Sequence, residues 1–292
     1  MNRLLLMLAG LALAAFQAAA ANVILKSPTA TCEIAPEDGA RIVSWKVDGA
    51  EMLWNPSVPA RDGKWRHGGI PLVWPWAATD WPEGEVHSPH GIAWTRPFKV
   101  EARRTTAEAD EVVLSLEACG LRGEYTIRLT DRLGLRFRTK NVGTAPRSFE
   151  MAYHPYLYLK DRDGTTIDGF DALRYRDTRD GFATNGVWKG AVAVNSWLDH
   201  VFYRSDAPVT AAVRDGTSGR RLRISSPEAA VYVVWNPGEQ WTTEGTPEYG
   251  GLETGAYRHI LSVEPSTLDR KLAPPLRPGE ERVLTAEFLC HD

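Results

Sequence analysis

Glu124-Tyr125-Thr126-Ile127-Arg128-Leu129 alternates a polar side chain with an apolar one, residue by residue. Successive side chains of an extended chain point to opposite faces, so this stretch reads as a strand with one wet and one oily face. Residues 133–139 keep the same period, and Val112-Val113-Leu114-Ser115-Leu116-Glu117 reads as a strand before them. Further out, Ile42-Val43-Ser44-Trp45-Lys46-Val47 meets Asp48-Gly49 and then Glu51-Met52-Leu53-Trp54, which predicts a hairpin on an Asp-Gly turn. Residues 149–153, 209–214, 221–225, 230–235, 260–264 and 283–288 read as further short strands, with turn residues between them. No segment holds a helical apolar period beyond about two turns. The expectation is an all-β protein built as an antiparallel sandwich or barrel.

The 292 residues are 43% hydrophobic and 24% charged, which fits a globular chain and not a disordered one. A net charge of −3 and a pI near 6.2 offer no basic surface, so no nucleic-acid partner is expected. Met1-Asn2-Arg3, an apolar run over residues 4–16 and Ala18-Ala19-Ala20 form the pattern of a secretory signal peptide. The run is too short to span a bilayer, which takes about 20 residues. Residues 1–20 are therefore expected to be removed. The mature chain, 21–292, is expected to be one soluble domain, periplasmic or secreted, with no membrane association; a monomer is favoured. Cys32, Cys119 and Cys290 leave at least one thiol outside any disulfide, and the sequence does not choose a pair.

Residues 61–97 break the strand rhythm. They hold Trp65, Trp74, Trp76, Trp81 and Trp94, several prolines, and His67, His87 and His90. A long loop of this kind on a β scaffold is where ligand contacts concentrate, and indole faces suit the C–H faces of sugars. Parity picks out two titratable groups. Phe149, Met151 and Tyr153 share one face and His154 falls on the other; Leu261 and Val263 share one face and Glu264 sits opposite, with Ser262. A His and a carboxylate facing one cleft form an acid/base pair.

Short motifs in a fixed order extend this reading. They are Gly39-Ala40-Arg41-Ile42-Val43-Ser44-Trp45, Gly68-Gly69-Ile70-Pro71-Leu72-Val73-Trp74-Pro75, His90-Gly91-Ile92-Ala93 and His154-Pro155-Tyr156-Leu157. Asp199-His200-Val201-Phe202-Tyr203, Val234-Trp235-Asn236-Pro237-Gly238, Ser262-Val263-Glu264-Pro265 and Leu276-Arg277-Pro278-Gly279-Glu280 follow. In these the chain resembles the aldose 1-epimerase (galactose mutarotase-like) superfamily, most closely its hexose-6-phosphate 1-epimerase branch. The resemblance implies a β-supersandwich with a concave sugar-binding face. It implies Glu264 as the base that takes the proton of the anomeric O1 hydroxyl and His154 as the acid that protonates the ring oxygen O5. His90 and Asp199 would hold the sugar. No metal and no other cofactor is implied, because only protons move.

The resemblance fails where phosphate would be read. That branch carries Arg before Gly-Gly-Ile-Pro, where this chain has His67, and Arg after His-Gly-x-Ala, where it has Trp94. A guanidinium fork suits phosphate and neither replacement supplies one. Arg66 and Arg96 lie one and two positions away. The expectation is an exported aldose 1-epimerase acting on a non-phosphorylated aldose or a glycan reducing end. His67, Trp94, Trp74 and Arg96 join His90 and Asp199 as candidate substrate contacts, Trp94 as a stacking surface. The alternatives are a catalytically silent periplasmic sugar-binding protein on the same fold and a hexose-6-phosphate 1-epimerase. A lyase or hydrolase is disfavoured, since glycoside hydrolysis uses two carboxylates across the scissile bond.

Overall fold

The computed structural model describes residues 21–57, 65–78, 89–242, 252–267 and 274–291. The expected leader at 1–20 lies outside them, as do Trp81, His87 and the loop at 244–251. Among the described residues the regular structure is almost all antiparallel strand, joined by loops and three short 3₁₀ turns.

The alternating segments that opened the reading form the centre of a nine-stranded sheet. Asp110–Ala118, Leu121–Leu129, Leu133–Asn141 and Glu281–His291 lie side by side, each antiparallel to its neighbour. Leu114 pairs with Tyr125, Tyr125 with Phe137 and Phe137 with Leu284, giving one continuous buried row across four strands. Gly123 leaves room for that row. A Cβ there would sit 2.4 Å from the Phe137 ring, so the strand accepts a glycine in its interior despite the entropic cost.

A second large sheet faces this one. Its order runs Asn185–Val187, Arg174–Asp177, Leu198–Tyr203, Val231–Asn236, Ile260–Ser266, Ala152–Tyr153 and Leu72–Val73. Phe202, Tyr232, Val234, Leu261 and Val263 point from it into the core shared with the nine-stranded sheet. A four-stranded sheet covers one side and holds the predicted hairpin. There Arg41–Val47 turns through Asp48 and Gly49, both at positive φ, into the two-residue strand Ala50–Glu51. The pairs of positive φ angles match the twist of the flanking strands.

Two differences from the sequence reading have clear causes. The strand expected over 149–153 is reduced to Ala152–Tyr153, because the flanking backbone bonds loops: Glu150 N–H donates to the Pro75 carbonyl and His154 N–H to that of Pro71. Lys99–Thr105 is an edge strand that the sequence did not announce. Every one of its side chains is exposed, and Val100 and Ala102 alone make too short an apolar alternation to mark it. No disulfide joins Cys32, Cys119 or Cys290.

Candidate active site

The strand Ile260–Ser266 is buried along its whole length, and its two faces do different work. Leu261 and Val263 go into the core; Ser262 and Glu264 therefore emerge on the opposite face. Register extends that face sideways. Ser262 pairs with Trp235, which pairs with Asp199; Glu264 pairs with Val233, which pairs with Val201.

His154 is brought to this face by its neighbours. Its N–H donates to the Pro71 carbonyl and the N–H of Tyr156 to the Gly69 carbonyl, while Leu157 pairs with Leu261. The imidazole Nε2 lies 3.4 Å from Glu264 Oε1. Its Nδ1 lies 3.2 Å from the Ser262 hydroxyl, which is also hydrogen-bonded to Glu264. Ser262 thus touches both members of the pair.

Aromatic rings fix the imidazole plane. Tyr156 stacks on it at 4.6 Å and 13°. Trp65 and Trp235 stand 5.7 and 5.9 Å away, tilted or edge-on. The Tyr156 hydroxyl accepts from Trp65 Nε1 at 2.8 Å and lies 2.9 Å from His67 Nδ1. An indole N–H only donates, so the tyrosine's own proton is available for His67. His90 completes the wall at 4.6 Å from Trp65 and 5.9 Å from His154. Its φ of +63° is held by its N–H bond to the Ala78 carbonyl. Gly91 follows at φ +81°, where a Cβ would lie 2.1 Å from the Trp74 carbonyl, so only glycine fits that approach.

Burial sets the charges. It pushes the Glu264 carboxyl well above the usual carboxylate range; the Ser262 hydrogen bond opposes this and nearby Asp199 adds to it. Burial, then His90 and His67, hold the His154 imidazole well below its ordinary value. His90 is lowered to about 4, again by burial first and His67 second. Asp199 is raised to about 6 by burial, against a hydrogen bond from Thr178. With no sugar present, the pair at 3.4 Å is driven towards protonated Glu264 and neutral His154. For Glu264 to accept a proton from a bound hydroxyl, the shared proton must first pass to His154. That transfer leaves the net charge of the pair unchanged, and the attraction between the ions formed offsets part of the desolvation cost.

The other sequence candidates divide. His67 is buried at the back of the site on Tyr156. Trp94 is only 5% exposed; its Nε1 donates to the Gly91 and Pro89 carbonyls and its ring lies edge-on to Trp65 at 5.4 Å. It backs Trp65, and Trp65 is the ring that stands beside the imidazole. Trp74 belongs to the core between the sheets, with Nε1 on Thr139 and its ring on Phe137. Burial there leaves it no face for a ligand. Arg96 is exposed, following the 3₁₀ turn Ala93–Thr95, and Arg66 is ion-paired with Asp38. Trp65, Tyr156 and Ser262 were not among the residues singled out as site members. For two of them the sequence carried a signal: Tyr156 lies two positions after His154 and Ser262 two before Glu264.

The aldose 1-epimerase family model matches residues 23–288. The chain belongs to the aldose 1-epimerase family. A protein of Cenchrus ciliaris, provisionally named glucose-6-phosphate 1-epimerase, is 25% identical over 283 residues, 89% of this chain and 82% of its own. A Salmonella typhimurium protein of the same provisional name is 22% identical over 237 residues, covering 77% and 76%. Among solved structures, a provisionally named mutarotase of Salmonella typhimurium superposes with TM-score 0.79 at 19% identity, covering 93% of this chain and 90% of that one. The galactose 1-epimerase of Lactobacillus acidophilus NCFM gives 0.70 at 14% identity, covering 92% and 94%. These similarities match the observed two-sheet architecture, and the epimerase is an isomerase of the mutarotase type.

Proposed function

We propose that this epimerase interconverts the α and β anomers of a non-phosphorylated aldose, free or at the reducing end of a glycan, after export from the cytoplasm. Glu264 takes the O1 proton while His154 delivers one to O5. The pyranose opens to the aldehyde, the C1–C2 bond turns, and the two groups exchange roles on closure. His90 and Asp199 hold sugar hydroxyls from either side of the pair.

The observation that carries the substrate class is what occupies the two positions where the phosphate-reading branch keeps arginine. His67 is spent on the Tyr156 hydroxyl, and Trp94 packs behind Trp65 with its N–H on backbone carbonyls. Neither offers a guanidinium fork. The neighbouring Arg66 is drawn off by Asp38. Export rests on the Met1–Ala20 pattern. The 6-phosphate named for the relatives is the rival substrate.

Anomer exchange followed by NMR tests the reading, with glucose, galactose, mannose and their 6-phosphates as substrates. Acceleration on free sugars, absent in Glu264→Gln and His154→Ala, is the expected result. Acceleration confined to the 6-phosphates overturns the substrate assignment, and none on any of them favours the silent binder. N-terminal sequencing of the protein recovered from an exporting host tests the leader. A start at Ala21 is expected; an intact Met1 in the soluble cytoplasmic fraction removes the case for export.

A further inference from the structure

The sheet face that carries Glu264 continues well beyond the catalytic pair. Register places Glu264, Val233, Val201, Arg176 and Asn185 in one row across five strands. The next row on the same face runs Ser266, Val231, Tyr203, Arg174 and Val187. Strands lie about 4.8 Å apart, so Arg176 stands roughly 14 Å from Glu264 along the row.

Three observations make this more than a run of surface side chains. First, the cleft floor does not stop at Glu264. Val233 and Val201 keep 9% and 8% exposure, no less than Glu264 and His154 at 4% and 7%. They lie as close to solvent as the catalytic groups do, and they offer the apolar floor that a sugar's C–H face packs on. Second, the row ends in an open groove of about 560 Å³, lined by Arg174, Arg176, Tyr203 and Asn185 among others. Third, neither guanidinium meets a carboxylate among the described residues. Arg174 lies over the Tyr203 ring at 5.3 Å, and Arg176 over Phe182 at 4.8 Å with one N–H on the Phe182 carbonyl. Stacking on a ring orients a guanidinium and leaves edge N–H groups for a planar acceptor.

We infer that the Arg174–Arg176–Tyr203 groove is a distal subsite for an acidic oligosaccharide, whose reducing end sits at His154 and Glu264 and whose carboxylate lies on the two arginines. The inference rests on the mutarotase reading and names its substrate as an anionic glycan chain. The valine strip carries the intervening sugar, Tyr203 gives a flat surface beside the arginines, and Asn185 presents an amide at the outer wall. The contact is an exposed charge pair, so it weakens as salt rises.

Exchange rates for glucose, galacturonate and trigalacturonate on the full protein test this. The trimer is expected to show a kcat/KM about tenfold above the monomer at low salt, the gain lying in KM and shrinking at high salt. In Arg174→Ala/Arg176→Ala the trimer-to-monomer ratio should fall close to one, while in Arg174→Lys/Arg176→Lys part of the gain returns. A ratio near one in the unaltered protein that still turns over glucose sinks the subsite and spares the mutarotase reading. A trimer advantage that survives the double alanine variant also sinks it. Absence of exchange on every sugar sinks the mutarotase reading; calorimetric binding of trigalacturonate then decides the groove by itself, and equal affinity in the native and double-alanine proteins rejects it.

Discussion

The two large sheets use the same strand grammar to opposite ends. In the nine-stranded sheet, the buried row Leu114–Tyr125–Phe137–Leu284 is regular and closely packed, the Tyr125 hydroxyl being its one polar side-chain atom. In the sheet it faces, the strand Ile260–Ser266 is buried on both sides, and one of those sides carries a carboxylate and two hydroxyls. Burying an ionisable group costs far more than burying a methyl, and on this strand that cost comes with a raised proton affinity at Glu264. The comparison teaches that in this fold full burial separates into two kinds: closed packing between the sheets, and a polar floor closed on one side by the core and on the other by aromatic rings.

Substitutions that respect or violate this division should separate stability from turnover. Glu264→Gln keeps the shape of the floor and removes the proposed base; exchange measured by NMR should fall about 10²–10⁴-fold with a melting temperature little changed. Phe137→Ala does the reverse. It opens a cavity in the closed row, so denaturant melts should show a loss of about 3–5 kcal/mol while exchange per folded molecule persists. If Phe137→Ala abolished exchange in the folded protein, the two kinds of burial would not be separable.

Asp199 tests the charge cost on the polar floor. Its folded value of about 6 stands above the ordinary 3.8, so the partly buried neutral acid is favourable below about pH 4 and that stability is lost as pH rises through 6. Asp199→Asn should therefore gain on the native protein between pH 4 and 6, by up to about 3 kcal/mol, in melts run across that window. His90 runs the other way. Lowered to about 4, it destabilises the native state as pH falls from 6.5 towards 4, because the unfolded chain binds the proton first. Tyr156→Phe is the smallest change. The ring still stacks on His154, but Trp65 and His67 lose their shared partner. A loss near 1 kcal/mol, with kcat reduced a fewfold and its pH profile shifted, is expected from hydrogen-bond deletion at a buried site. An unshifted profile would reduce Tyr156 to packing.

How far the sequence led depended on whether a residue's neighbours repeat. Strands such as Leu121–Leu129 and Arg221–Ser225 alternate cleanly and stand in the structure where their patterns put them. Lys99–Thr105 has no buried side to announce it, and its position is set by pairing with Asp110–Ala118. At the site, parity found Glu264 and placed it on the outer face with Ser262. It reached His154 through a strand that proved mostly loop, and the imidazole is placed instead by backbone bonds to Gly69 and Pro71. The indoles were the hardest to sort. Nothing in the sequence separates Trp65, which faces the imidazole, from Trp74, which fills the core, because the difference lies in which loop crosses which sheet.

The placement of Trp65 and Trp235 within 6 Å of the His154 ring has an optical consequence. An imidazolium withdraws excited-state electron density from a nearby indole, and a neutral imidazole does so far less. The proton transfer proposed between Glu264 and His154 would therefore be coupled to the emission of Trp65 and Trp235. Emission that dims as the histidine becomes charged and recovers as the proton returns to the acid is the expected readout.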